Sequence, residues 1–155
     1  MPRILLDSNL MILLVIGVAG RNLIQRSQNL EAYDETAYDL LIELIGEPSR
    51  LALVPHVLTE VSNLACQGIR EPQRSLVRES IAAVIRCAEE HFVPGKQAIS
   101  AGEYRRLGLT DAVLLEMTRG KMTLWTDDHD LYLAALKRGL PVKKFVHLRV
   151  ERGHL

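Results

Sequence analysis

Short apolar runs recurring between long stretches of helical periodicity constrain this chain more than any other feature. The runs are RILL at 3–6, LALV at 51–54, FV at 92–93, MTLW at 122–125 and KFVHL at 144–148. They lack the strict alternation of a strand with one wet face, so each reads as a strand covered on both sides. Strands that alternate with helices pair in parallel through helical crossovers. The expectation is an α/β fold, an open and mainly parallel sheet of about five strands with helices on both faces.

The intervening stretches supply those helices. Tyr38, Leu41, Ile42 and Ile45 share one helical face within 34–46, with Gly46 as the stop. Pro55 opens a helix whose stripe is Val57, Leu58, Val61, Leu64 and Ala65, ending by Gly68. Pro72 opens another that runs close to His91, with Leu76, Val77, Ile81, Val84, Ile85 and Ala88 toward the core and Arg74, Arg78, Arg86 and Glu89 toward water. Two further helices cover 111–119, stopped by Gly120, and 128–138, stopped by Gly139 with Pro141 beyond. The run LMILLVIGVAG at 10–20 has about half the roughly 20 residues of a spanning helix. It reads as a buried helix, and the carboxylate of Asp7 before it does not suit a secretory leader.

No repeat or linker-like tract divides the chain, so 1–155 reads as a single domain. A domain of about 150 residues buries roughly two-thirds of its unfolded surface and needs no disulfide or structural metal. Cys66 and Cys87 fit that picture: without CxxC or paired-His spacing they read as buried reduced thiols, and the default compartment is the reducing cytoplasm. Nineteen basic and nineteen acidic residues balance to zero, which excludes coating of duplex DNA or anionic lipid by bulk charge. A polyanion has to be held locally.

In open parallel sheets the functional crevice lies outside the carboxyl ends of the strands. Here the first run leads into Asp7-Ser8-Asn9 and the fourth into Thr126-Asp127-Asp128-His129-Asp130. Two readings stand for Asp7, a helix N-cap or a functional acid. Glu60 falls beside the apolar stripe of its helix, either as a solvated residue or as a carboxylate of a site. Asp111 follows Thr110 at the start of an apolar helix, as a cap or as an acid directed into the end of the protein. Acids converging on one crevice cannot all ionise without a countercharge. Carboxylate oxygens select Mg²⁺ or Mn²⁺, and the chemistry that suits such a site is metal-assisted phosphoryl hydrolysis.

In this order the segments Leu5-Leu6-Asp7-Ser8-Asn9, Leu58-Thr59-Glu60-Val61, Leu109-Thr110-Asp111-Ala112 and Leu124-Trp125-Thr126-Asp127-Asp128-His129-Asp130-Leu131 resemble the PIN-domain nucleases, especially the VapC-like toxins of toxin-antitoxin pairs. The resemblance spans essentially the whole chain. It implies a PIN-like three-layer sandwich and a Mg²⁺- or Mn²⁺-dependent endoribonuclease. Asp7, Glu60, Asp111 and Asp128 would be the catalytic metal-binding acids and Asp130 an auxiliary metal acid, while Asn9 and Thr126 would orient the ligands. Asp127 and Asp128 compete for the fourth acid, Asp128 being favoured by its place two residues after Thr126. An RNA substrate, an antitoxin partner and a homodimer are likewise implied. Two spacings depart from compact members: Asn9 to Glu60 is longer, which bears on the antitoxin surface, and Pro94 to Asp111 is shorter, which bears on the substrate grip.

Arg21, Arg26, Lys96, Arg105, Arg106, Arg119 and Lys121 adjoin the acidic ends as a substrate rim or as ordinary solvated surface, Arg105 and Arg106 being the foremost candidates for binding phosphates. His129 is read as a metal ligand, a proton carrier or a local cap, and Lys143-Lys144 as the charged start of an edge strand. Two other functions stay open. An aspartyl-phosphate phosphatase or phospho-acceptor also places an aspartate after its first strand, but no lysine is expected at a strand end to grip the phosphoryl group. A non-catalytic α/β binding module would use the acids only as caps.

Overall fold

The computed structural model describes residues 1–118 and 121–155. Its strands are β1 (Arg3–Leu6), β2 (Ala52–Leu53), β3 (Glu89–Glu90), β4 (Met122–Thr126) and β5 (Val142–Lys144). The helices are α1 (Ser8–Ala19), α2 (Glu35–Ile45), α3 (Pro55–Leu64), α4 (Gln73–Cys87), α5 (Gly95–Ile99), α6 (Tyr104–Leu107), α7 (Leu109–Met117), α8 (His129–Lys137) and α9 (Phe145–Glu151), with tight turns at Arg21–Arg26 and Pro48–Arg50.

β1, β4 and β5 form one parallel sheet, β2 and β3 a second parallel pair, and a parallel bridge between Ile4 and Leu51 joins the two. The array runs β3-β2-β1-β4-β5, which makes the fold an open α/β sheet. Successive side chains of a strand point to opposite faces, yet Ile4, Leu5 and Leu6 are all buried, so helices cover both faces of β1. α1 is apolar on every side because it is the central helix, enclosed by α2, α3 and α4. Ser80 on α4 ties to it by donating to the Val15 carbonyl at 2.6 Å. No helix among the described residues is long and apolar enough to cross a membrane.

Several expectations need correction. The strand expected at 92–93 lies earlier: α4 ends at Cys87, β3 pairs with β2 at once, and the ladder continues through His91 N–H to the Leu53 carbonyl at 2.7 Å. Phe92 is beyond it and 73% exposed. On α4 the buried stripe is Val77, Ser80, Ile81 and Val84, narrower than expected because the helix packs chiefly on α1; Leu76 and Ile85 face outward, as does Ile42 on α2. Both cysteines are free, but only Cys66 is buried and Cys87 is exposed. The Gly120 stop and Arg119 lie outside the described residues.

The largest difference is at 144–148. The strand ends at Lys144, and the following residues are α9. Phe145 and Arg149, one helical turn apart, are both buried, while Asp127 Oδ1 accepts the Val146 N–H at 2.7 Å and satisfies a first-turn donor of α9. Lys144 therefore closes its strand, in register with Thr126, rather than opening it.

Candidate active site

The helices following β1 and β4 lead to opposite sides of the array, so the crevice of an open parallel sheet falls at the carboxyl ends of these two neighbours. A cleft of about 440 Å³ lies there. It is lined by Asp7, Ser8 and Asn9 at the β1–α1 junction, Glu60 and Leu64 on α3, Leu107 to Asp111, and Asp128. Asp7, Glu60, Asp111 and Asp128, read separately from the sequence, thus border one space. No lysine or arginine is among its described lining residues.

Asp7 is the deepest acid. It caps α1, Oδ1 accepting the Leu10 N–H at 2.9 Å, while Oδ2 accepts a hydrogen bond from the Thr126 hydroxyl. The same hydroxyl oxygen accepts the Asp128 N–H at 2.9 Å, so Thr126 joins the ends of β1 and β4. Burial pushes the Asp7 carboxyl up to about 6; the bonds from Thr126 and Leu10 oppose the rise, and Asp127 and Asp128 add to it. Capping and a role in the site are compatible, because each carboxylate oxygen has a second lone pair.

Glu60 accepts a hydrogen bond from the Thr110 hydroxyl, which orients it from across the cleft. Asp111 is not a cap. α7 begins two residues earlier, after Gly108, whose φ of 90° turns the chain into the helix. The Asp111 carboxyl accepts no hydrogen bond from the described residues, and burial followed by repulsion from Asp128, Asp7 and Glu60 raises it to about 7. Asp128 caps α8 through the Leu131 N–H at 2.9 Å and stands at the exposed mouth.

The two neighbouring aspartates separate cleanly. Asp127 faces away from the cleft, its Oδ2 accepting the Tyr33 hydroxyl at 2.8 Å and its Oδ1 the Val146 N–H at 2.7 Å, while Asp128 lines it. Asp130 is exposed on the first turn of α8 and is not among the lining residues. Asn9 is at the wall, and Arg105 and Arg106 occupy α6, directly before the lining segment that starts at Leu107. The sequence reading missed Thr110 as a donor to Glu60, although a hydroxyl beside a motif acid was its available signal. It also missed Lys144, hidden by the misplaced strand. A lysine does stand at a strand end; its Nζ lies 3.2 Å from His129 Nδ1.

Comparison of the chain with family models, with curated proteins and with solved structures finds no match. The chemistry of the site therefore rests on its residues. Among the described residues its ionisable lining groups are all carboxylates, with no thiol or imidazole, and this donor set fits a hard divalent cation. Among the described residues no three His, Cys, Asp or Glu side chains stand close enough to hold an ion unaided. That spacing is compatible with Mg²⁺, which keeps several of its waters and commonly takes only one or two carboxylates directly.

Proposed function

We propose that this chain is a Mg²⁺- or Mn²⁺-dependent endoribonuclease of the PIN-domain type, acting as the toxin of a toxin-antitoxin pair. The observation that carries the reading is the convergence of Asp7, Glu60, Asp111 and Asp128 from separate elements onto one cleft with no lysine or arginine among its described lining residues. Asp111, without a hydrogen bond among the described residues and raised to about 7, is the clearest sign that the site calls for a countercharge. Restriction to RNA, the toxin role, the antitoxin and the homodimer follow from the motif resemblance.

Asp7 and Asp128, with Glu60 and Asp111 facing them, would hold the cation. When bound, it supplies positive charge to the phosphate oxygens and acidifies water. The chain's own contribution is orientation. Thr126 fixes Asp7 and the backbone of Asp128 together, Thr110 fixes Glu60, and Asp111 has lone pairs free to take a proton from an attacking water.

The direct test is cleavage of end-labelled RNA by the purified chain with Mn²⁺. We expect metal-dependent internal cuts that Asp7→Asn reduces by at least about 100-fold. Asparagine still caps α1, so the variant folds. Cleavage by the variant in chelated buffer at the wild-type rate would overturn the reading. The phospho-acceptor alternative gains one observation, Lys144 at a strand end, but that lysine contacts His129 while both Asp7 oxygens bond to Thr126 and Leu10. Covalent labelling of Asp7 by an acyl phosphate would favour it.

A further inference from the structure

Beside the acidic cleft, on the β5 side, stands a second cluster. Lys144 Nζ lies 3.2 Å from His129 Nδ1 and 5.6 Å from the centroid of the Tyr132 ring. The His147 ring meets Tyr132 edge-on at 6.0 Å. Tyr132, Lys143, Lys144 and His147, with the single carboxylate of Glu151, border a hollow of about 260 Å³. Neither lysine has a carboxylate within ion-pair distance among the described residues, whereas Arg3, Arg21, Arg138 and Arg152 all do. The cluster adjoins the acids, because His129 follows Asp128 in the chain and Lys144 is in register with Thr126.

Arg105 and Arg106 on α6, directly before the lining segment that starts at Leu107, also have no ion-pair partner among the described residues. Cations without a carboxylate partner among the described residues thus adjoin the acidic segments from two separate elements, β5 and α6. A mononucleotide or small phosphate ester would engage one flank. A strand that carries several phosphates can engage both, and a base or sugar between phosphates meets the exposed His147 ring and the half-buried Tyr132 on the β5 side.

We infer that Lys144, His129, Tyr132 and His147 form a nucleotide-binding subsite for the part of an RNA strand that flanks the scissile phosphate. Lys144 contacts the phosphate, and Tyr132 with His147 packs against the adjoining nucleoside. The inference rests on the ribonuclease reading for its substrate but not for its geometry. It makes the substrate an oligonucleotide, gripped beside the acids as well as at them.

Binding is measured apart from cleavage, by the fluorescence anisotropy of a fluorescein-labelled single-stranded oligoribonucleotide in chelated buffer. Lys144→Ala is expected to weaken binding about 3- to 10-fold and to lower the slope of log K against log salt by about 0.7, the loss of one phosphate contact on a single strand. Tyr132→Leu, which keeps an apolar side chain on α8, is expected to weaken it with no change in that slope. Lys144→Arg should bind like the wild type, as should Lys137→Ala, a lysine at the far end of α8 outside the cluster. Unchanged affinity in both Lys144→Ala and Tyr132→Leu, or no binding of RNA by the wild type, overturns the subsite. If binding falls as expected but the wild type does not cut RNA with Mn²⁺, the subsite stands and the ribonuclease reading fails. If RNA is cut and neither variant binds less tightly, the subsite alone fails.

Discussion

Thr126, Asp127 and Asp128 are consecutive, yet they do separate work. Thr126 is fully buried and bridges Asp7 to the backbone of Asp128; Asp127 turns away to hold Tyr33 and the first turn of α9; Asp128 faces the cleft. Removing the Asp127 carboxylate leaves two donors without their acceptor, each costing about 1 to 3 kcal/mol where it is shielded from water. Asp127→Ala is therefore expected to lower stability by about 2 to 4 kcal/mol in urea unfolding, with cleavage by the folded fraction largely kept. Asp128→Asn is expected to do the reverse, because asparagine still accepts the Leu131 N–H while the site loses a charge. Unchanged cleavage by Asp128→Asn together with loss of activity in folded Asp127→Ala would exchange their assignments. This division was not legible in the sequence, since three acids within four residues give no sign of which way each points. Asp7 was legible by position and so was its double reading, because a side chain at a strand-to-helix junction is both a natural cap and a natural member of the crevice.

Among the elements, α1 shows how closely the helices are set. A methyl group placed on Gly17 would lie 2.1 Å from Cδ2 of Tyr38 on α2, so the aromatic ring occupies the space of the missing side chain. Gly17→Ala gains roughly 1 kcal/mol in helix propensity. Against this, overpacking costs about 1 to 3 kcal/mol. The net expectation is a small loss of stability, seen as a drop of a few degrees in Tm, that turns neutral or favourable in a Tyr38→Ala background. A Tm that rises equally in both backgrounds would show that no such contact exists. Legibility at this scale followed burial. β1 and β4, apolar on both faces, were found nearly to the residue, and α1 followed from continuous apolarity. β3 was displaced because its Glu89 and Glu90 side chains are exposed, so only backbone pairing makes them a strand. α9 was read as a strand because FVHLRV carries β-branched and aromatic residues; the cap from Asp127, far away in sequence, decides for helix. That one error reversed the end of β5 at which Lys144 stands, and with it the visibility of the cationic flank.

For the molecule as a whole, a net charge of zero conceals a local excess of negative charge, and this excess ties stability to pH and to metal. Asp7 and Asp111 lie at about 6 and about 7, above the ordinary 3.8. Between roughly pH 4 and 7 the unfolded chain has released protons that the native chain keeps, so stability of the metal-free protein falls as pH rises through that window. For the buried Asp7 the loss is about 2 to 3 kcal/mol. Asp111, less shielded, contributes in the same direction. Thermal unfolding in chelated buffer is expected to give a higher Tm near pH 5 than near pH 7.5, and Asp7→Asn should flatten the difference because its side chain has no proton to lose. On the proposed reading, Mn²⁺ near pH 7.5 is expected to bind the ionised acids of the native state only. At about 100 times its Kd it adds about 2.7 kcal/mol, or about 5 to 10 °C for a domain of this size. The same addition near pH 5 should raise Tm less, since protons then compete for the carboxylates. Equal Mn²⁺ shifts in wild type and Asp7→Asn at both pH values would mean that the ion binds elsewhere, and Asp7 would then be a helix cap and no more.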